Sequence, residues 1–220
     1  ATQCNRYFGE MEIEGVEIDE KITQLARTYF ELPGQVQVTT YDGRAYLNAI
    51  TEKYDVIMVD AYQDITIPFQ MSSVEFFTLV KNHLTEGGVM VVNMNMRGGG
   101  EGNINQYLAD TIASVFDRVY TVDVGGTTNR ELFAMNHEDG PERMRAHRQE
   151  LADDSLSAMM ERVQDHLTAY EAGSYIMTDD KAPVELLGMR VIDELIRDEV
   201  AYYKEIYERQ GIQGVLESLN

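Results

Sequence analysis

The sequence is poor in cysteine, in basic residues and in long apolar runs, and each shortage narrows the class of protein. Cys4 is the only cysteine among 220 residues, which excludes an internal disulfide and favours a reducing, cytoplasmic compartment. The longest apolar runs, such as residues 88–92, fall far short of the roughly 20 residues that a membrane-spanning helix needs. The polar stretch 1–10 has no apolar segment of the kind found in secretory signal peptides.

Basic side chains are outnumbered about two to one. The chain carries 18 Lys and Arg against 38 Asp and Glu, a formal net charge of −20. The negative electrostatic potential of such a charge repels nucleic acid and anionic lipid and favours positively charged partners. An acidic surface that only keeps the chain in solution is the simpler interpretation of the charge taken alone. The four histidines are scattered without paired ligand spacing, so no metal site is predicted.

Strand-like and helix-like patterns alternate along the first two-thirds of the chain. The predicted strands are 12–18, 36–40, 54–60 and 89–93, and the predicted helices are 20–30, 44–50, 72–84 and 103–116. Segments 119–124 and 131–135 are so close in sequence that they should pair as an antiparallel hairpin. This order predicts an α/β fold, a mostly parallel sheet closed by that hairpin, with helices on both faces.

Three finer points follow from the same patterns. Ser72 and Ser73 are candidate caps for the helix that follows them, and Glu75 stands at capping-box spacing from Ser72. The Gly87-Gly88 pair is predicted to separate this helix from the next strand.

The last third has a different character. Two helices are predicted between 141 and 170, then a loop over 174–183, then a helix over 184–210 with an apolar stripe. The stripe is predicted to pack on the sheet, with a subunit interface as the alternative. These patterns divide the chain into an α/β domain, 1–137, and a helical C-terminal extension, 138–220, which is predicted to pack on it.

Acidic residues follow three successive predicted strands. Ligands of doubly wound sheets lie beyond the carboxyl ends of the strands, where Glu17, Asp42 and Asp60 fall. The Glu17 carboxylate can accept hydrogen bonds from both hydroxyls of a ribose. Asp42 can accept a hydrogen bond from the adenine amino group. The backbone at Gly43 can approach the adenine ring closely because glycine has no side chain. Capping of the following helix is the alternative role for Asp42 and for Asp19.

Segments 15–19, 41–45 and 54–62 resemble the spermidine-synthase (aminopropyltransferase) family in order and spacing. The resemblance is to its bacterial spermidine-synthase-like branch and extends over roughly 12–187, including 67–69, 75–77, 84–89 and 178–185. It implies the Rossmann-like fold of S-adenosylmethionine-dependent methyltransferases. The implied activity moves the aminopropyl group of decarboxylated S-adenosylmethionine to a diamine such as putrescine, with no metal. S-adenosylmethionine and methylthioadenosine are further ligands expected at the same site.

The resemblance also implies roles for particular residues. Glu17 would bind the ribose and Asp42 and Gly43 the adenine, and Ile18 is a further expected cosubstrate-binding residue. Asp60 would accept the proton of the incoming amine. The assisting and amine-binding residues are expected to be Tyr62, Gln63, Asp64, Asp179, Asp180 and Glu185. The family usually carries a second aspartate three residues after the first, but Gln63 occupies that position here and the acid is displaced to Asp64.

Other expectations concern what surrounds this chain. The family has a strand and a glycine-rich loop before the Glu17 strand; this sequence lacks both, and Thr2–Phe8 is predicted to be the end of the helix after that loop. A homodimer is expected, and since some members of the branch are fused to transporter-like helices, so is association with a membrane segment outside this chain. A methyltransferase and a non-catalytic nucleoside- or polyamine-binding domain are the alternative functions.

Overall fold

The computed structural model describes residues 1–9, 11–60, 67–95, 101–127 and 129–218. Helices and strands alternate through most of this length. The elements are α1 Thr2–Phe8, β1 Glu14–Glu17, α2 Glu20–Tyr29, β2 Gln37–Thr40, α3 Gly43–Ala49, β3 Tyr54–Val59, a 3₁₀ turn Phe69–Met71, α4 Val74–Asn82, β4 Leu84–Asn95, α5 Ile104–Ala113, β5 Arg118–Asp123, β6 Asn129–Met135, α6 Gly140–Glu150, α7 Asp154–His166, β7 Thr168–Ala169 and α8 Val184–Ser218.

The described strands form two sheets. β1 and β2 pair in parallel, and the second sheet has the order β3-β4-β6-β5-β7. In this larger sheet β3, β4 and β5 run in one direction, while β6 and β7 run in the other. The β5–β6 hairpin forms where the short spacing predicted it. The predicted α/β fold, with its mostly parallel strands and antiparallel C-terminal hairpin, is therefore confirmed.

β1 and β3 are the facing edges of the two sheets. Tyr54, the first residue of β3, donates its hydroxyl hydrogen to Glu14 Oε2 of β1 at 2.7 Å. No backbone ladder joins the two described sheets. The hydrogen bond between Tyr54 and Glu14 is therefore a side-chain contact between β3 and β1. On β3, Val56 is 55% and Met58 69% exposed. The resemblance expects an additional strand ahead of β1, and that strand is not among the residues described.

The start of β4 differs from the prediction. The helix α4 ends at Asn82 and the strand begins at Leu84, so Gly87 and Gly88 lie inside the strand. The register with β3 shifts here, from Tyr54↔Leu84 to Val56↔Val89. A Cβ on Gly88 would lie 3.0 Å from the carbonyl oxygen of Tyr54. The glycine pair therefore makes a bulge that lets two backbones approach closely, where the sequence suggested a chain break.

The hydrophobic core lies on the larger sheet. Phe76, Phe77 and Val80 of α4, together with the inward faces of β4, α5 and β6, are buried in it. Residues after 137 join the same core, because Met177, Val184, Leu187 and Val191 belong to it and β7 pairs with β5. The division at residue 137 stays a prediction, but the extension shares its core with the sheet.

Only the start of the last helix packs as predicted. Val184, Leu187 and Val191 are buried, whereas Ile196, Val200 and Tyr207 are more than half exposed. Gly211 interrupts the helix with φ +69°, a left-handed conformation that glycine adopts readily. The later half of the apolar stripe is thus largely exposed within the described chain, with Tyr203 and Ile206 only half-buried. None of the described helices has the length and apolar character to cross a membrane.

Candidate active site

Glu17 and Asp42 lie at the carboxyl ends of neighbouring parallel strands. Glu17 pairs with Thr40 in the β1–β2 ladder, and the amide of Tyr41 donates to the carbonyl oxygen of Glu17 at 3.1 Å, so the ladder continues almost to Asp42. Glu17 is half-buried, and its Oε1 accepts the amide hydrogen of Asp19 at 2.9 Å. Its other oxygen makes no bond within the described chain. Ile18 beside it is exposed.

Asp42 is a helix cap in addition to its predicted binding role. Its Oδ1 accepts the amide hydrogen of Ala45 at 2.8 Å, which satisfies a free donor of the first turn of α3. Asp19 caps α2 in the same manner through Lys21. A Cβ on Gly43 would lie 3.5 Å from the terminal methyl of Met71, so the 3₁₀ turn covers the backbone at this position. The capping alternative therefore holds for Asp42 and Asp19 alike, and the second oxygen of Asp42 makes no hydrogen bond within the described residues.

Asp60 belongs to a row of polar residues across the larger sheet. Val59 pairs with Val92, and Asn93 pairs with Glu131. Asp60 follows Val59, and the Asn93 amide Nδ2 lies 3.5 Å from Asp60 Oδ1. Burial, and then the charge of Asp60, raise the pKa of Glu131. Three neighbouring strands thus bring Asp60, Asn93 and Glu131 together at one edge of the sheet.

Glu131 was missed by the sequence analysis. It stands within an ordinary strand pattern, and only the pairing of β6 with β4 places it beside Asn93. Tyr62, Gln63 and Asp64, which the resemblance assigned to catalysis and amine binding, lie outside the described residues. The second aspartate and the tyrosine therefore remain predictions.

Asp179 is held by an arginine. Both oxygens of its carboxylate accept from the Arg44 guanidinium, at 2.8 and 2.6 Å. Ser73 donates to the same carboxylate at 2.5 Å, and Glu75 accepts the Asp179 amide hydrogen at 3.0 Å. The bond from Arg44, the largest contribution, lowers the pKa of Asp179. A diamine reaching Asp179 would have to compete with Arg44, so this residue is a poorer amine ligand than the resemblance implied.

The same contacts correct the predicted helix cap. The residue that caps α4 is Ser73, whose Oγ accepts the amide hydrogen of Phe76 at 3.2 Å. Glu75 does not fold back onto Ser72 and is instead engaged by Asp179. The capping box predicted from Ser72 and Glu75 is therefore wrong, because a long-range contact claims the glutamate.

The segment that carries Asp179 is anchored to α5. Asp110, 1% exposed, accepts the Tyr170 hydroxyl hydrogen at 2.6 Å and the Tyr175 amide hydrogen at 3.0 Å. Thr111 Oγ1 accepts the amide hydrogen of Met177 at 2.9 Å. The remaining predicted amine ligands, Asp180 and Glu185, are exposed beyond this anchor, and neither has an ion-pair partner in the described chain.

Two further observations limit what the site can be. An open cavity of about 530 Å³ lies at the beginnings of β1 and β2, lined by residues that include Glu12 and Gln35. It is at the amino ends of these strands, away from Glu17 and Asp42, so it is not the candidate site. No group of three metal-ligating side chains comes together in the part of the chain that the structure describes. The absence of a metal stays an expectation.

The order of strands and helices defines an α/β protein with a mostly parallel sheet, with Glu17, Asp42 and Asp60 at the carboxyl ends of its strands. Two solved structures share the fold. They are human methyltransferase-like protein 13 in complex with SAH (TM-score 0.56, 22% identity, 76% of this chain and 78% of that one) and a probable spermidine synthase from Corynebacterium glutamicum (TM-score 0.51, 21% identity, 78% and 67%). At these identities the likeness establishes the fold alone.

Sequence comparison identifies the family. The family model for the spermine/spermidine synthase domain matches residues 6–122, so the chain belongs to that family. A probable polyamine aminopropyl transferase of Bifidobacterium longum is 50% identical over 236 aligned positions, which cover 100% of this chain and 53% of that protein. A polyamine aminopropyltransferase of Vibrio vulnificus is 28% identical over 58% of this chain and 44% of that protein. The chain spans about half the length of these relatives.

Proposed function

We propose that the protein is a polyamine aminopropyltransferase that uses decarboxylated S-adenosylmethionine and a diamine. The observation that carries the proposal is the placement of Glu17 and Asp42 at adjacent strand ends, with Asp60 at the end of β3, in a chain of the spermine/spermidine synthase family. The first pair suits a nucleoside, and Asp60 faces another carboxylate in a region that suits a cation.

The nucleoside half of the site rests on the smaller sheet. Glu17 accepts the ribose hydroxyls through the oxygen that does not bind Asp19, and Ile18 supplies an apolar surface beside the sugar. Asp42 accepts from the adenine amino group while its Oδ1 remains on the helix. The backbone at Gly43 contacts the ring on the side that Met71 does not cover.

The chemical step is a displacement at carbon. The neutral amine nitrogen attacks the carbon next to the sulfonium, the new N–C bond forms, and the C–S bond breaks with its electron pair returning to sulfur as methylthioadenosine leaves. A protonated amine has no lone pair for this attack, and free amines are protonated near neutral pH. The Asp60 carboxylate accepts the departing proton and orients the lone pair. Holding the two reactants in line supplies most of the rate.

The proposed partners follow from this activity. The acceptor is a small diamine, and an acidic protein of net charge −20 attracts such a cation and repels nucleic acid. A homodimer, a cytoplasmic location and association with a membrane segment outside this chain remain parts of the proposal that rest on the family resemblance.

The test is product detection by mass spectrometry. The protein is given decarboxylated S-adenosylmethionine and a panel of diamines, and the expected product is a triamine, the diamine extended by one aminopropyl group. Asp60→Asn should reduce kcat by at least ~100-fold, within the range of general base catalysis, with little change in the affinity for methylthioadenosine. Asp55→Asn, at the other end of β3 and bonded to Thr85, is the matched control.

Three results would contradict the proposal. Methyl transfer from S-adenosylmethionine with no aminopropyl product would favour the methyltransferase alternative. Binding of methylthioadenosine without any product would favour a non-catalytic domain. An equal loss of turnover and nucleoside affinity in Asp60→Asn would argue against its role as the base.

A further inference from the structure

Glu131 lies on the same face of the sheet as Asp60, one strand further along. Asn93 of β4 is directly opposite Glu131 of β6, and residues that face each other across a ladder project to the same side. The contact from the Asn93 amide to Asp60 at 3.5 Å shows that Asp60 is on this side too. The three side chains therefore form a continuous row, with the two carboxylates at its ends and the amide between them.

Neither carboxylate has a cationic partner within the described ranges. The arginine next to Glu131, Arg130, points to the other face and is bound to Asp123, with Nε at 2.5 Å and Nη2 at 3.0 Å from its two oxygens. Glu131 itself is half-buried, and both its burial and the charge of Asp60 raise its pKa. A carboxylate withdrawn from water beside a second carboxylate is costly unless a cation joins them.

The spacing of the two acids suits a cation with two charged ends. Adjacent strands lie about 4.8 Å apart, so Asp60 and Glu131 are separated by two such intervals, about 10 Å at the backbone. A short diamine lying across β4 would bring one nitrogen to each carboxylate. The Asn93 amide lies beneath the middle of such a molecule.

We propose that Glu131 binds the distal ammonium of the diamine while Asp60 serves the attacking nitrogen, and that the Asp60–Glu131 separation selects the length of the acceptor. This inference rests on the proposed function and adds to it a specificity-determining residue. Glu131 is then the anionic partner of the distal ammonium. Asp179 is poorly placed for that role because its carboxylate is paired with Arg44.

Two variants of Glu131 separate charge from reach. Glu131→Gln keeps the length and removes the charge, and should raise the KM for putrescine about 10- to 100-fold, the effect of a hydrogen bond to a charged group. Glu131→Asp keeps the charge and withdraws it by one methylene, and should shift the preference from putrescine toward the diamine with one more methylene. Glu138→Gln, an exposed acid just beyond β6 that pairs with Arg118, is the matched control and should change neither.

A monoamine reports on the distal end alone. Butylamine has the attacking nitrogen and no second ammonium, so its turnover should be equal in the wild type and in Glu131→Gln. If the variant lost butylamine and putrescine turnover equally, Glu131 would act on the fold or on the chemistry and the inference would be overturned. An unchanged length preference in Glu131→Asp would overturn it as well.

Calorimetry tests the inference without turnover. Putrescine is titrated into the protein saturated with methylthioadenosine, and Glu131→Gln should weaken putrescine binding about 10- to 100-fold with the same affinity for methylthioadenosine. Absence of putrescine binding to the wild type, or equal binding to both, would overturn the inference. Binding that depends on Glu131 without any product would support it while the proposed reaction fails.

Discussion

Arg44 and Asp179, 135 positions apart in sequence, form a two-pronged ion pair that joins the start of α3 to the loop ahead of α8. Arg44 follows Gly43 of the proposed adenine site and also donates to the carbonyl oxygen of Gln70 at 2.9 Å. Arg44 therefore fixes the proposed adenine site at Gly43 relative to the turn Phe69–Met71. That turn follows Asp60 in sequence by nine residues or more. Its side chains are only partly exposed, 22% for Arg44 and 41% for Asp179.

The first prediction concerns the strength of this pair. In a double-mutant cycle of Arg44→Gln and Asp179→Asn, urea unfolding should give a coupling energy of about 1–2 kcal/mol, because the contact is bidentate and Ser73 also binds the carboxylate. The exposed pair Arg145–Glu142 is the control, and should give less than about 0.5 kcal/mol. Equal coupling in the two pairs would mean that Arg44–Asp179 is an ordinary surface contact.

The second prediction is the pH dependence of that contribution. The hydrogen bond from Arg44 lowers the pKa of Asp179 in the folded protein. The stability it provides is complete above the ordinary Asp pKa of about 3.9 and is lost as the pH falls through the lower folded value. The difference in unfolding free energy between the wild type and Asp179→Asn should thus be largest at neutral pH and shrink toward pH ~2.

The measurement for this second prediction is urea unfolding over an acid pH series. Arg44→Gln should flatten the acid limb as well, because it removes the cause of the lowered pKa. A difference between the wild type and Asp179→Asn that stays constant down to the lowest pH would contradict the assignment of the shift to this pair.

Local patterns were sufficient to predict the strand ends that carry Glu17, Asp42 and Asp60. The period of apolar residues and the capping acids are short-range signals, and α2, α3 and β3 begin within two residues of the expected positions. The same kind of signal failed at Gly87-Gly88. Glycine pairs usually break elements, and here the close approach of Tyr54 requires one inside a strand.

Long-range contacts account for the parts of the site that could not be predicted. The place of Glu131 depends on β6 inserting between β4 and β5, which no local pattern specifies. The pairing of Asp179 with Arg44 depends on Asp110 and Thr111 anchoring the intervening loop to α5. The strand β7 has two residues and no periodicity of its own, so only its partner β5 defines it.

The third prediction separates the two roles of Asp42. Asp42→Ala should lose about 0.5–2 kcal/mol of stability with the α3 cap, and also the affinity for methylthioadenosine. Asp42→Ser should restore most of the stability, since serine is a good cap, but not the affinity. Asp153→Ala removes an equivalent cap, the bond to the Leu156 amide at 2.8 Å, and is the matched control.

Calorimetry and urea unfolding of the same three variants give the two readouts. Asp153→Ala should lose stability and keep full affinity for methylthioadenosine. Full affinity in Asp42→Ser would show that the second oxygen of Asp42 does not contact the nucleoside, and capping would then be its whole role.

The last prediction is that the ionised Glu131 carboxylate lowers the free energy of unfolding. Because burial and Asp60 raise its pKa, the folded state holds the Glu131 proton more tightly than the unfolded state does. The unfolding free energy of the wild type therefore falls as the pH rises from the ordinary Glu pKa of about 4.3 through the folded value. Glu131→Gln has no such proton to lose and should be more stable than the wild type at pH ~7.5, with the two converging near pH ~4.

Urea unfolding at these two pH values measures the difference, with Glu138→Gln as the control that should show none. A variant that gains stability while losing diamine affinity is the behaviour of a binding residue kept at the expense of the fold. If Glu131→Gln were instead less stable than the wild type at neutral pH, a cation from elsewhere in the chain would already be neutralising Glu131, and its carboxylate would not be available to a diamine.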